Sequence, residues 1–228
     1  MKIPKTFVQE KGSEKALEKV LNYQEDCLFN KKIECLLSSC YEFLDLKYGN
    51  PKAKYDTGKK FTEKLAYTLI DIENLSKRIS LDPPWGEFEA EDLGFYFSAL
   101  INNVIKENDT VSLTLGIRLS GIGAYLIRGN TIVYGSVGDW TGKNMGTGKL
   151  NVFGDAKDYT GYEMTNGIIV ISGKTGGLVG YQAKGREIYV NDIESMIARS
   201  CEATVYKKGE KIWPPDPSKM ARGKGIID

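Results

Sequence analysis

The sequence GSVGDWTGKNMGTGKLNVFGDAKDYTGYEMTNG, residues 135–167, contains two copies of one pattern with a period of 19 residues. The same step continues on both sides of this stretch. Three glycine ladders follow it: Gly116, Gly135, Gly154 and Gly173; Gly123, Gly142, Gly161 and Gly180; and Gly129, Gly148 and Gly167. Self-similarity at one fixed period is typical of stacked equivalent coils, each of which buries its apolar face against its neighbours.

Each repeat also contains a short run rich in strand-forming residues, namely SLTL, TIVY, LNVF, IIVI and IYVN. Helix is disfavoured here, because 17 of the 25 glycines lie between 116 and 185 and each costs a helix interior about 1 kcal/mol. Glycine instead permits the positive φ angles of sharp corners. The pattern predicts a parallel β-helix over residues 110–192, with four coils and a fifth strand.

Two further ladders predict the interior of this β-helix. One wall consists of Thr114, Val133, Val152, Ile171 and Val190, and the opposite wall of Leu126, Met145, Met164 and Ala183. A row at the turns contains Trp140, Tyr159 and Leu178, with Asp139 and Asp158 beside it. These aspartates could form a cation site. They could equally serve turn chemistry, in which Asp bonds its own backbone, and we favour this second interpretation.

The two central repeats resemble the GxGxG-repeat domain, which is found at the carboxy terminus of the glutamate synthase large subunit and in one of the subunits of formylmethanofuran dehydrogenase. The motif G-x-x-G-x-x-M-x-x-G is matched at Gly142, Met145 and Gly148, and again at Gly161, Met164 and Gly167. The resemblance covers about 80 residues. It implies a right-handed parallel β-helix with a structural role, which holds catalytic domains or subunits together.

The chain departs from those families in ways that argue against their activities. It begins Met1-Lys2-Ile3 rather than with cysteine, and it has no C-x-x-C pair among its four cysteines. It contains no histidine, so Ser-His-Asp and Cys-His catalysis cannot operate within it. We therefore expect no catalytic residue, no metal and no cofactor, and we expect the chain to be a non-catalytic subunit if it belongs to an enzyme.

Composition narrows the possible partners. The formal net charge of +1 gives no reason to expect nucleic acid or anionic lipid as a ligand. No apolar run approaches the length of a membrane span, and the amino terminus lacks the apolar region of a signal peptide. These features and the expected free thiols suit a cytoplasmic protein.

Residues 1–108 show helical periodicity and predict an amino-terminal helical bundle. Four helices are expected, over residues 13–30, 33–44, 57–79 and 89–106, with Gly49-Asn50-Pro51 ending the second. This bundle is placed to cover the first coil. The overall prediction is a segregated α+β chain with a helical domain at 1–108, a β-helix of four to five coils at 109–200, and an extended or disordered tail at 201–228. A short helix at 192–199 is expected to close the stack.

The expected function is a scaffold that uses the β-helix surface to bind a protein partner or further copies of itself. Two alternatives stay open. The row of Trp140 and Tyr159 could bind a small ligand or carbohydrate, or Asp139 and Asp158 could act as paired carboxylates in a hydrolase.

Overall fold

The computed structural model describes residues 30–46, 50–81 and 92–214. Four helices precede a seven-stranded sheet, which confirms the predicted fold class. The helices are α1, whose described part covers 30–44, α2 (Pro51–Thr62), α3 (Leu69–Leu81) and α4 (Leu93–Val104). The strands are β1 (Thr110–Thr114), β2 (Asn130–Tyr134), β3 (Lys149–Phe153), β4 (Ile168–Thr175), β5 (Glu187–Ile193), β6 (Thr204–Lys207) and β7 (Glu210–Trp213).

The helix boundaries differ from the prediction in the middle of the helical part. The helix expected at 57–79 is two helices, α2 and α3, separated at 63–68. Thr68 starts α3, because its backbone N–H and its hydroxyl both donate to Asp71 Oδ2 at 2.8 Å. Asn50 and Pro51 follow α1, and they also begin α2. Asn50 caps α2, because its Oδ1 accepts a hydrogen bond from the N–H of Ala53. All but the last residue of the helix expected at 13–30 lies outside the described residues.

The strands β1 to β6 stack in parallel and in chain order, so each coil lies directly on the previous one. The register confirms the 19-residue step between β2, β3, β4 and β5. The sequence step between paired strands differs in the two end coils. Thr110 pairs with Asn130, a step of 20, and Glu187 pairs with Thr204, a step of 17. Leu113, and not Thr114, therefore lies against Val133, so the predicted ladder is wrong at its first position and Gly116 does not stack on Gly135.

The interior of the coils is apolar, as predicted. Val133, Val152, Met145 and Met164 are at most 1% exposed, and Leu126 and Ala183 complete the same wall as the two methionines. Residues alternate along each strand between this interior and the outer face, so that one face of the sheet forms the core.

The glycine ladders serve two different purposes. Gly142 lies at a corner with a φ of +69°, as do its equivalents in the other coils with values of +68° to +74°. Gly154 has no such φ angle; a Cβ there would lie 2.3 Å from the carbonyl oxygen of Gly135. The expectation of corner glycines is thus correct for the first group, whereas the second allows neighbouring coils to approach.

Helix α3 covers the free edge of β1. The N–H groups of Ser112, Thr114 and Gly116 donate to side-chain oxygens of Glu73, Ser76 and Ser80 at 2.7, 3.0 and 2.9 Å. Alternate backbone donors of the edge strand are therefore bound by successive turns of one helix. This confirms the expectation that the helical part covers the first coil.

Helix α4 covers the corner side of the same coil. The hydroxyl of Ser98 donates to the carbonyl of Gly121 at 2.8 Å, and the amide of Asn102 donates to the carbonyl of Ala124 at 3.1 Å. Gly94 permits this approach, since a Cβ there would lie 2.1 Å from the carbonyl oxygen of Ser120.

The carboxy-terminal end of the described chain consists of strands, with β7 as the last strand of the sheet. The helix expected at 192–199 is absent from these described residues, because β5 continues to Ile193 and Ile197 then pairs with Val179. The segment from Cys201 joins the sheet through β6 and β7, whose hairpin turns at Lys208 and Gly209. Their φ angles of +51° and +81° are those of a two-residue hairpin turn. Residues 215–228 of the expected tail lie outside the described residues.

Replacing Gly142 with Val should lower the free energy of unfolding by about 1–3 kcal/mol, because a β-branched residue is strained at this φ angle. Its Cβ would also lie 2.4 Å from Ile169 Cδ1. The control is Gly146→Ala in the same coil, whose Cβ would meet its nearest neighbour at an ordinary 3.4 Å. Urea denaturation of both variants tests the corner assignment, which fails if the two share one midpoint.

The variant Ser76→Ala should cost about 1–3 kcal/mol of stability, because it leaves the N–H of Thr114 without its acceptor at a buried site. Lys77→Ala, an exposed position on the same helix, serves as the control. Hydrogen exchange should show faster exchange at Thr114 in the Ser76 variant alone. Unchanged protection of that amide would contradict the proposed edge contact.

Candidate functional site

The predicted turn row lies at the corners of the solenoid and forms one wall of an open groove. This corner groove has a volume of about 370 Å³, and it is lined by Pro51, Trp140, Lys143, Tyr159, Tyr162, Leu178 and Tyr181. Trp140, Tyr159 and Leu178 occupy equivalent corners of three successive coils and have φ angles of +54°, +61° and +53°. The structure thus brings together the two aromatic residues that the sequence selected.

A second column of side chains runs beside the first. The Trp140 and Tyr159 rings stack with centroids 6.2 Å apart, and the Tyr162 and Tyr181 rings stack at 5.2 Å. Tyr159 joins the columns through edge contacts with Tyr162 at 5.8 Å and Tyr181 at 6.4 Å. The groove wall is therefore a continuous aromatic surface that extends along the solenoid axis.

Helices α2 and α4 close one end of the groove. Phe95 of α4 lies 6.4 Å from Trp140, centroid to centroid. Lys54 of α2 places its ammonium 6.0 Å from the Trp140 ring centroid and binds Asp92 Oδ1 at 2.6 Å. The cap that covers the first coil therefore also fixes the position of the groove.

Lys143 forms a polar centre within the aromatic surface. Its side chain is 9% exposed, and its ammonium lies 3.1 Å from Glu163 Oε2 and 3.8 Å from the Tyr162 ring centroid. Burial lowers the pKa of Lys143, and the hydrogen bond that it donates to Glu163 acts in the opposite direction. The Asn144 amide also donates to Glu163 Oε2 at 3.1 Å. The Lys143 ammonium is therefore held between an acidic partner and an aromatic ring.

Sequence reasoning missed the second column, although its signal was present. Lys143, Tyr162 and Tyr181 repeat the 19-residue step, three positions after Trp140, Tyr159 and Leu178. Lys143 and two tyrosines do not form a recognisable pattern in the sequence. The corner geometry is what places them side by side.

The predicted aspartates link adjacent coils. Asp139 Oδ1 accepts a hydrogen bond from the N–H of Asp158 at 2.9 Å, and Asp158 Oδ1 accepts one from the N–H of Gly177 at 2.6 Å. The expected turn chemistry was a bond from each Asp to its own backbone; these bonds instead go to the backbone of the next coil. Ser120 does the same for the N–H of Asp139 at 3.0 Å. These bonds give both carboxylates a structural role.

A separate apolar surface lies on the outer face of the sheet. We call it the outer sheet patch; it consists of Ile132, Tyr134, Phe153, Val170, Tyr189 and Tyr206, with the polar Asn151 between Ile132 and Val170. Tyr134 is 51% exposed and Phe153 is 55% exposed, and their rings stack with centroids 5.4 Å apart. Tyr189 and Tyr206 stack at 4.6 Å. The patch extends over five strands, β2 to β6.

Several other kinds of site are not found in the part of the chain that the structure describes. No group of three or more His, Cys, Asp or Glu side chains is arranged there to hold a metal ion. None of the described helices combines the length and apolar character that a membrane crossing requires. Comparison with family models, curated proteins and solved structures found no match to this chain. The resemblance to GxGxG-repeat domains therefore rests on the matching residues themselves.

The structural role of the aspartates predicts a graded response to substitution. Asp158→Ala removes the acceptor for the N–H of Gly177 and should lower the free energy of unfolding by about 0.5–1.5 kcal/mol. Asp158→Asn keeps an oxygen at this position and should have a smaller effect. Thermal and urea denaturation measure both. If Asn is as destabilising as Ala, the backbone hydrogen bond is not what Asp158 provides.

Proposed function

We propose that this chain is a non-catalytic assembly protein whose outer sheet patch binds a protein partner or another copy of the chain. The observation that carries the proposal is the exposure of two stacked aromatic side chains, Tyr134 and Phe153, on a regular sheet. Clustered exposed apolar side chains on a folded surface mark interaction sites, whereas scattered ones do not.

The rigidity of the solenoid supports this role. Helices α3 and α4 cover the first coil, and Tyr134 and Phe153 lie on β2 and β3, which are paired on both sides, so the exposed aromatic rings do not result from an unfinished edge. The stacked rings lose little side-chain entropy on binding, because each is already restrained by its neighbour. A preorganised apolar surface of this kind is suited to holding another folded protein.

The size of the patch limits what it can do alone. Five strands spaced by about 4.8 Å and a width of about three residues give an area on the order of 200 Å². A stable interface buries about 800 Å² on each partner. The outer sheet patch therefore forms the apolar centre of an interface, and polar residues around it complete the contact.

The resemblance to GxGxG-repeat domains supports the same role, since those domains hold catalytic units together. It also supports assignment of the chain, if it belongs to an enzyme complex, to a non-catalytic subunit. The hydrolase alternative gains no support from the geometry, because Asp139 and Asp158 each accept a backbone hydrogen bond.

The double variant Tyr134→Ser/Phe153→Ser should lose the partner that the parent chain retains in an affinity pull-down from its own cell extract, or should lose self-association in light scattering. Met196→Ser is the matched control, because Met196 is also an apolar side chain, 57% exposed, outside the patch. Mass spectrometry compares the three samples.

Two outcomes would contradict the proposal. One is a parent chain that is monomeric in light scattering and captures the same proteins as the double variant. The other is loss of the captured partner in Met196→Ser to the same degree while this variant keeps the parent's thermal unfolding midpoint, which would place the interaction outside the outer sheet patch.

A further inference from the structure

We propose that the corner groove is a second binding site, which holds a proline-rich peptide in the polyproline II conformation. This site is separate from the outer sheet patch, and the proposal does not depend on that patch. It is carried by the aromatic columns of Trp140, Tyr159, Tyr162 and Tyr181, by the spacing of the coils, and by the balance of charge in the groove.

The composition of the groove wall fits this class of ligand. Proline-rich segments bind grooves lined by aromatic side chains, because their preformed helix loses little entropy on binding. Polyproline II has no internal hydrogen bonds, so its carbonyl groups need donors from the protein or from water. The groove supplies aromatic surface from the stacked rings, and Trp and Tyr side chains carry N–H and O–H groups of the kind that such carbonyls require.

The repeat of the solenoid matches the repeat of the ligand. One turn of polyproline II has three residues and rises about 9.3 Å. Two coils of the solenoid rise about 9.6 Å, from the strand spacing of about 4.8 Å. Prolines three residues apart would therefore meet equivalent corners two coils apart, such as those of Trp140 and Leu178. Tyr159 lies between them and contacts the residues between the prolines.

The charges in the groove favour an uncharged segment. Lys54 is bound to Asp92 at 2.6 Å, and Lys143 is bound to Glu163 at 3.1 Å, so each ammonium has an acidic partner. A single nucleic-acid strand, which also stacks on aromatic side chains, requires a positively charged channel for its phosphates. The paired charges here supply none.

The dimensions favour a peptide over a folded domain. The lining residues extend from Pro51 across three coils, a length of about 14 Å. That length accommodates about five residues of polyproline II at 3.1 Å each. The buried area would be far below that of a stable domain interface, which indicates a weak, reversible contact with an exposed segment of a partner.

The test is a titration of the full chain with synthetic peptides, monitored through the indole N–H signals in ¹H–¹⁵N NMR spectra. One peptide repeats proline with two alanines between successive prolines, and the comparison peptide has three alanines between them. Loss of a signal in Trp140→Leu identifies the Trp140 indole. We expect this signal to shift to saturation with the first peptide, and the second peptide to bind about tenfold more weakly, because its prolines cannot occupy equivalent corners.

The groove variant introduces a residue that the solenoid already has at an equivalent corner. Leu178 occupies the corner equivalent to Tyr159 with a φ of +53°, so Tyr159→Leu retains a residue that this corner accommodates. This variant should weaken binding of the first peptide about tenfold, as expected for loss of a central aromatic contact. Met196→Ala, a truncation of an exposed apolar side chain outside both the corner groove and the outer sheet patch, should leave the affinity within about twofold of the parent.

Four results would overturn the proposal. The first is the absence of a Trp140 shift with either peptide, and the second is equal affinity for the two spacings. The third is a response of the same signals to a soluble oligosaccharide such as cellohexaose and not to the peptides, which would make the groove a carbohydrate site. The fourth is equal weakening by Met196→Ala and Tyr159→Leu, which would place the binding outside the corner groove.

Discussion

The free edge of β1 is the constraint on which the rest of the structure depends. A parallel solenoid must begin with a strand that has no strand before it, and an uncovered edge of this kind exposes unpaired backbone donors and invites aggregation. In this chain Glu73, Ser76 and Ser80 of α3 accept the hydrogen bonds that a preceding coil would have accepted. The spacing of these acceptors is close to the spacing of the donors. Alternate strand residues are about 6.7 Å apart, and helix residues three or four positions apart rise about 4.5–6 Å along the axis. Flexible side chains bridge the difference.

The same constraint explains why the end coils depart from the repeat. The first coil has one more residue than the central coils, in the turn between Leu115 and Ser120, which packs against α4. The last coil is two residues shorter and leads into the hairpin of β6 and β7. Central coils are stacked between two other coils and keep a strict period, whereas end coils must also fit a cap. The corner groove and the outer sheet patch both begin on the central coils, because the helices cover the first coil.

The sequence was sufficient to predict the solenoid, because the residues that repeat every 19 positions each have one physical purpose. The buried ladder of Met145 and Met164 and the corner glycines such as Gly142 could be assigned without coordinates. The break between α2 and α3 was missed, because the apolar stripe continues across it and only the capping of α3 by Thr68 and Asp71 interrupts the helix. The aromatic row was found from the sequence, but its second column was not. That column exists only because a sharp corner places residues three positions apart side by side.

Trp140 and Tyr159 occupy corners whose left-handed backbone conformation is uncommon for bulky residues. The equivalent position in the first coil is Gly121, with a φ of +80°, and glycine adopts this conformation without strain. A bulky aromatic residue there is strained, typically by about 1–3 kcal/mol, and must be held by its surroundings. Packing against Phe95 offsets part of this cost for Trp140, but Tyr159 is one coil further from the helices. Leu178 has a φ of +53° at the next equivalent corner, and Asn144, Glu163 and Gln182 have φ angles of +51° to +54° at a neighbouring corner, so this conformation belongs to the coil and not to aromatic residues. What distinguishes Trp140 and Tyr159 is that their stacked rings form the wall of the corner groove.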